Sequence, residues 1–275
     1  MNPLEWQSLL FVPAHQEKHL LSAIKLKPDA VILDLEDGVA ADEKPEARAS
    51  LAKHQDLLAK AKIDCIIRVN PETADARKDV AAIDFGKLAA IMVPKCVDRR
   101  NLNSVVSLLG AKAVPLIALV ESPAALPQLT HIATAPGVCG LMFGPEDYAA
   151  ELGLSADAAD LTIPAALLAA AAVAAKCLAI GIPGSLANFS DVKGFLASVR
   201  KARSLGFRAA AAIHPAQLAA IREGFKPTDA EIKKAKEIVA ASGGKDKGAL
   251  KLKGTMVDAP IIAQAQRVLK QAGLD

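Results

Sequence analysis

Short, uninterrupted apolar runs recur along the chain, and most of them stop at a polar residue. They are Ser8–Val12, Ala30–Leu35, Cys65–Val69, Ala90–Val93, Ala113–Val120, Val138–Phe143, Gly181–Leu186 and Arg208–Ile213. A strand covered on both faces reads as a continuous apolar run rather than an alternating one, so these runs predict a parallel sheet. Helical stretches lie between them: Glu17–Lys27, Lys44–Lys62, a weaker Ala76–Leu88, Asp98–Leu109, Pro123–Thr134, Thr162–Ala179 and Phe189–Leu205. No internal repeat is visible. Eight strand–helix units in 275 residues predict an α/β fold closed into a TIM-type (β/α)8 barrel, assigned to residues 1–225.

Residues 226–275 read differently, as a C-terminal helical extension. Thr228 caps a predicted helix to Ala241, a flexible basic loop covers 242–248, and Asp258–Ala272 forms a last helix with Pro260 in its first turn. A barrel does not need this extension for closure, so it is expected to contact a neighbouring subunit.

Charge and composition remove several classes of function. Lys and Arg total 33 against 30 Asp and Glu, a net charge of +3, which leaves no footprint for nucleic acid or an anionic membrane. Aromatic residues are 3%, too few for a base-stacking surface. The apolar stretch Ile163–Ala187 is interrupted by Pro164, Lys176, Gly181, Pro183 and Gly184, so it predicts a buried helix and a strand, not a membrane span. Met1–Glu5 lacks the basic start of a secretory leader. Cys65, Cys96, Cys139 and Cys177 form no C-x-x-C pair and predict buried thiols in a reducing cytoplasm.

Barrel enzymes work at the carboxyl ends of their strands, and there the polar residues gather. The runs end in Asp34-Leu35-Glu36-Asp37, Arg68-Val69-Asn70, Pro94-Lys95, Glu121-Ser122-Pro123, Gly144-Pro145-Glu146-Asp147 and His214-Pro215. Any one acid here has a plainer reading: Asp34 or Asp37 as a helix cap, Arg68 as a structural ion-pair partner. Acids collected at one end of several strands, however, repel one another unless a cation lies among them. Carboxylates without a His or Cys cluster suit a hard ion such as Mg²⁺. His15 and His19 stand four apart, but not in the His-Glu-x-x-His order of zinc proteases, and read as solvated helix-face histidines. His214 reads as a supporting or core residue more than an acid–base group. Neither a G-x-G-x-x-G fingerprint nor a Walker A sequence is present.

Taken in order, Ser8-Leu9-Leu10-Phe11-Val12-Pro13-Ala14, Asp29–Val39, Lys44–Arg48, Arg68–Asn70, Val93–Lys95, Glu121–Pro123, Gly140–Asp147, Ile213–Gln217 and Gly254–Pro260 resemble the citrate lyase β-subunit-like branch of the HpcH/HpaI aldolase superfamily. The resemblance covers nearly the whole chain and implies a cytoplasmic, homotrimeric TIM-barrel lyase. Its substrate would be a short acyl-CoA or acyl-carrier thioester of malyl, citramalyl or citryl type, cleaved to an α-keto acid and acetyl-CoA or formed in the reverse condensation. It implies Mg²⁺, with Mn²⁺ as a substitute, held by Glu121 and Asp147. Arg68 would hold the substrate carboxylate, with Lys95, Gly144 and Pro145 as further substrate-binding positions. Asp258 would enter a neighbouring subunit's site as acid–base, and Glu36 and Asp37 would orient metal-bound water. Two alternatives stay open: a carrier-protein-dependent subunit or degenerate acyl-CoA-binding paralogue, and an aldolase acting on free hydroxy-keto acids.

The chain departs from the family at several places. Arg-Ser is replaced by Gln7-Ser8, and Gly-Lys by part of Ala209–Ala212; a basic residue expected to meet phosphate or carboxylate is missing at both. An Asp near the seventh strand and an Arg near Pro164 are absent as well.

Overall fold

The computed structural model describes residues 2–71, 73–242, 250–252 and 254–274. The chain divides into two compact units, Met1–Phe225 and Lys226–Asp275.

In the first unit eight parallel strands form one sheet: β1 (Ser8–Pro13), β2 (Ala30–Asp34), β3 (Asp64–Arg68), β4 (Ala90–Val93), β5 (Leu116–Val120), β6 (Val138–Phe143), β7 (Leu178–Ile180) and β8 (Ala210–Ala212). Each strand pairs with its sequence neighbours, and β8 pairs with β1. A parallel bridge between Ile180 and Ala209 closes the ring. This is the expected TIM-type barrel. Helices α1 (Glu17–Leu26), α2 (Lys44–Ala61), α3 (Thr73–Ala82), α4 (Arg99–Leu109), α5 (Leu129–Ala133), α6 (Pro145–Glu151), α7 (Thr162–Ala174), α8 (Val192–Leu205) and α9 (Gln217–Phe225) occupy the connections.

The continuous apolar runs have the predicted consequence, because the strands are buried on both faces. One set of side chains, including Leu9, Ile32, Ile66, Met92, Ile117, Leu119, Met142 and Ile180, fills the barrel interior. The alternate set, including Leu10, Val31, Leu33, Ile67, Ile91, Ala118 and Leu141, packs under the helices. The helices follow from local signals. Asp98 and Asn101 form a capping box at the start of α4, whose Leu102, Val105 and Leu109 repeat at helical spacing and are buried. Asp191 caps α8, and Gly206 ends it at φ 105°.

Several boundaries differ from the sequence reading. The seventh strand is Leu178–Ile180, not Gly181–Leu186. Helix α7 stops at Ala174, because Lys176 adopts a left-handed φ of 59° and turns the chain. The fifth strand starts at Leu116 rather than Ala113. The weak third helix is two pieces, α3 and a 3-10 turn at Phe85–Lys87. The segment after Glu121 is a 3-10 turn, Pro123–Gln128, with Pro127 inside it, followed by the short α5. Helices α6 and α9 come from stretches read as strand ends and loop.

The second unit holds α10 (Asp229–Ser242), a hairpin of β9 (Leu250–Leu252) and β10 (Thr255–Val257), and α11 (Ala259–Gln271). Thr228 caps α10 in a reciprocal bond with Glu231, as expected. Ala235, Ile238, Val257, Ile262, Ala265 and Leu269 form the unit's own core. The hairpin was not expected. The predicted basic loop lies, for residues 243–248, outside the described residues.

All four cysteines are free. Among the described residues no helix is long and apolar enough to cross a membrane.

Candidate active site

Side-chain alternation carries the barrel's interior face out through the strand ends. In β2 the face that carries Ile32 reaches Asp34, in β3 Ile66 leads to Arg68, and beyond β5 Leu119 leads to Glu121. Asp34 and Arg68 are direct partners in the parallel register. Together with Phe11, Asp37, Asp147 and others they line a cleft of about 310 Å³ at the carboxyl end of the barrel.

Arg68 is the centre of the charged part. Its Nε and Nη2 donate to the two oxygens of Asp34, each at 2.6 Å. Nη1 lies 2.9 Å from Glu36 Oε2, and the guanidinium sits 5.1 Å from the Phe11 ring centre. These paired carboxylates raise the Arg68 pKa, so its charge is permanent. Asp34 is 3% exposed, and it also accepts from the backbone N–H groups of Glu36 and Gly38, at 3.0 and 2.8 Å. A Cβ on Gly38 would collide with Asp34 Oδ2, which makes glycine necessary there. Sequence reasoning left Asp34 as a candidate cap; the structure makes it the clamp on Arg68.

Lys95 bridges two parts of the site. Its Nζ lies 2.9 Å from Glu36 Oε1 and 3.6 Å from Asp37 Oδ1. Its backbone N–H donates to Glu121 Oε1 at 2.6 Å. The residue holds a left-handed φ of 50° to do so. Glu36 is buried, and burial raises its pKa despite Arg68 and Lys95.

Glu121 is 6% exposed. Burial, reinforced by the negative charges of Glu36 and Asp147, pushes its pKa up to about 8. Gly144 leaves it room, since a Cβ there would stand 2.8 Å from Glu121 Cβ and 3.0 Å from its Oε2. Asp147, by contrast, is exposed, in the first turn of α6 with Pro145 at the helix start. The pair thus presents one buried and one solvated carboxylate to the same cleft. Among the described residues no group of three or more His, Cys, Asp or Glu side chains is placed to hold a metal ion. Two carboxylates with open positions are nonetheless a fitting donor set for Mg²⁺, which keeps several waters and rarely uses a full protein cage. A cation would also relieve the repulsion that raises Glu121.

The cleft has a wall that sequence reasoning missed. Glu146 Oε1 accepts from Ser185 Oγ, Leu186 N and Ala187 N at 2.8, 2.7 and 3.2 Å. Gln217, 1% exposed, donates to Leu186 O at 2.8 Å and accepts from Ile213 N and His214 N, both at 3.0 Å. The chain after β7 and the end of β8 are thereby tied together, with Leu186 and Ile213 facing the cleft. The pattern Ile-His-Pro-x-Gln was visible in the sequence; that its Gln satisfies buried backbone was not. His214 stacks on Phe189 at 4.5 Å and is half-buried, in a supporting position. His15 precedes α1 and is largely buried 3.5 Å from Glu43, not solvated on a helix face, whereas His19 is exposed.

Three other positions fall elsewhere. Asp258 belongs to the C-terminal unit, where its carboxylate caps α11 by accepting from Ile261 N at 3.3 Å. Gln7 lies at the amino end of β1, opposite the cleft, and its N–H donates to Asp29 Oδ2 at 3.0 Å. Ala209–Ala212 are fully packed, between 0 and 1% exposed. Gln7 therefore stands away from the strands' carboxyl ends, and the packed alanines offer no basic side chain to the cleft.

Residues 7–215 match the model of the HpcH/HpaI aldolase/citrate lyase family. A (3S)-malyl-CoA thioesterase of Cereibacter sphaeroides is 33% identical over 97% of this chain and 94% of its own. A citrate lyase subunit beta-like protein of Mycobacterium tuberculosis is 30% identical over 96% of this chain and 94% of its own. The crystal structure of CitE from M. tuberculosis with magnesium, acetoacetate and coenzyme A superposes with a TM-score of 0.81 at 31% identity, covering 98% of both chains. With the barrel, the strand-end acids and the full-length similarity in agreement, the chain belongs to the HpcH/HpaI aldolase/citrate lyase family of lyase-type enzymes.

Proposed function

We propose that this protein is a Mg²⁺-dependent carbon–carbon lyase that cleaves a short 3-hydroxy-3-carboxyacyl-CoA to an α-keto acid and acetyl-CoA, or runs the reverse condensation. The observation that carries the reading is the buried Glu121, with its pKa raised, sharing a cleft with the solvated Asp147 and the fixed Arg68. The CitE complex with magnesium and coenzyme A and the malyl-CoA thioesterase support it by similarity.

In the cleavage direction the C3 hydroxyl loses its proton and becomes the keto carbonyl as the C2–C3 bond breaks. The electron pair moves into the thioester enolate, and a proton delivered to C2 gives the acetyl thioester. Glu121 and Asp147 would hold the Mg²⁺, which when bound lowers the hydroxyl pKa and polarises oxygen. Arg68, locked by Asp34 and Glu36, offers fixed positive charge to a substrate carboxylate or the developing enolate at no reorganisation cost. Glu36 and Lys95 fix the floor beneath it, and the exposed Asp37, which contacts Lys95 through Oδ1, would orient water at the rim. Gly144 and Pro145 shape the entrance to the metal pair. Asp258 from a neighbouring subunit is the proposed acid–base at C2, which requires an oligomer, and the family resemblance makes that oligomer a homotrimer. The four free thiols support a reducing, cytoplasmic setting.

Purified protein with Mg²⁺ should release a keto acid and acetyl-CoA from malyl- or citramalyl-CoA. Glu121→Gln and Asp147→Asn should each lower kcat/KM at least about 100-fold. Full activity in both variants defeats the metal assignment. The thioesterase relative favours one other reading, hydrolysis of the same thioester. Its signature is free CoA thiol appearing in step with a hydroxy diacid, with no keto acid formed.

A further inference from the structure

The cleft is divided by chemistry, and the division follows strand order. The ends of β2, β3, β5 and β6 supply its charges, Asp34, Asp37, Arg68, Glu121, Glu146 and Asp147. Strands β7, β8 and β1 are contiguous round the closure. They and the segments that follow them contribute only apolar side chains to the cleft: Leu186, Ile213, Phe11 and Pro13.

The charged side has little left to offer an anion. Arg68 is the only cation among the described lining residues. A guanidinium carries five N–H donors. Two go to Asp34, and a third faces Glu36. The two that remain, one on each terminal nitrogen, suffice for one substrate carboxylate. The ammonium of Lys95 is already shared between Glu36 and Asp37.

The apolar side cannot readily rearrange to supply a cation. Leu186 is held at both backbone groups, by Glu146 through its N–H and by Gln217 through its C=O. Ile213 is held through its N–H by Gln217. A second carboxylate on the keto acid would therefore meet either apolar wall or further carboxylates. Desolvating it there without a partner is strongly unfavourable.

We propose, resting on the lyase reading above, that the cleft selects an α-keto acid with an uncharged alkyl substituent, of the pyruvate and 2-oxobutyrate class, over a dicarboxylic one such as oxaloacetate. The corresponding thioesters are of citramalyl rather than citryl type. Leu186 and Ile213 are the specificity residues, and Glu146 and Gln217 are positioning residues behind them.

Calorimetric titration of the full chain in Mg²⁺ with pyruvate, 2-oxobutyrate and freshly dissolved oxaloacetate tests this by binding, independently of turnover. The first two should bind at least about tenfold tighter than oxaloacetate. Ile213 is 45% exposed, so Ile213→Lys is tolerable to the fold and places an ammonium on the wall. It should close most of that gap by tightening oxaloacetate. Oxaloacetate binding as tightly as pyruvate in the unaltered protein overturns the inference and leaves the lyase reading to its own turnover assay. No gain for oxaloacetate in Ile213→Lys overturns the role given to the wall. If no keto acid binds with Mg²⁺ present and none is released from any thioester, the lyase reading falls and takes this one with it.

Discussion

Asp34 and Glu36, each 3% exposed, share the Arg68 guanidinium, and Glu36 has the Lys95 ammonium as a second partner. Removing the guanidinium leaves Asp34 buried without an ionic partner and Glu36 with Lys95 alone. Arg68→Ala should therefore cost about 3–5 kcal/mol of stability in addition to activity, read from denaturant unfolding. A loss within experimental error of zero would mean that the clamp is not structural. Arg68→Lys keeps the charge but not the fork, and should lose stability while retaining a folded chain. Gly144 makes a second test at this scale. Gly144→Ala drives a methyl into Glu121 and should weaken divalent-cation binding by about tenfold or more, whereas the barrel needs no glycine φ at that point. The sequence made the charges legible, because a polar residue after an apolar run stands out. It did not reveal which charges satisfy one another. A lone acid such as Asp34 looks the same whether it caps a helix or clamps an arginine, and Gly144 declares its purpose only through the space that Glu121 fills. Glu146, one residue before Asp147, was read as part of the same acidic strand end, yet it binds the opposite wall.

Elements were legible wherever the chain punctuates itself. Asp98 before α4 and Gly206 after α8 mark ends that the structure keeps. The seventh strand was misread because nothing in Ala165–Ala179 breaks the helical pattern; the turn is made by Lys176 in a conformation that sequence does not announce. The hairpin in the C-terminal unit is built from three-residue strands, too short to show a period. Helix α2 carries a pH test. His54 is 1% exposed with Nδ1 unpartnered, and burial lowers its pKa, with Lys53 on its own helix lowering it further and Glu17 from α1 opposing. A histidine depressed in the folded state binds its proton more readily when unfolded. Stability should therefore fall as pH drops below the unfolded value near 6.5, and be complete above it. His54→Gln should flatten the Tm–pH curve between pH 7 and 5 relative to the unaltered protein; parallel curves would remove His54 from the acid sensitivity.

At the scale of the whole molecule, the barrel was predictable from the count and spacing of apolar runs, since eight parallel strands of this length have few other closures. The role of Asp258 comes only from what the family resemblance implies; the structure shows this residue as the cap of α11, which the sequence reading did not anticipate. The proposed sharing of this residue between subunits has a direct consequence. Asp258→Asn retains the cap, so it should lose turnover without losing fold. Mixed with Glu121→Gln under conditions that exchange subunits, it should regain part of the activity that each variant lacks alone. No recovery, or a fully active monomer by light scattering, removes the shared site. The central claim is narrower: that Glu121 and Asp147 together hold one divalent cation. Manganese binding, followed by loss of the free-ion electron paramagnetic resonance signal, tests it without any substrate. The account predicts one Mn²⁺ per chain, displaced by Mg²⁺, with binding abolished or weakened at least about tenfold in Glu121→Gln and in Asp147→Asn. Undiminished binding in both variants would contradict it.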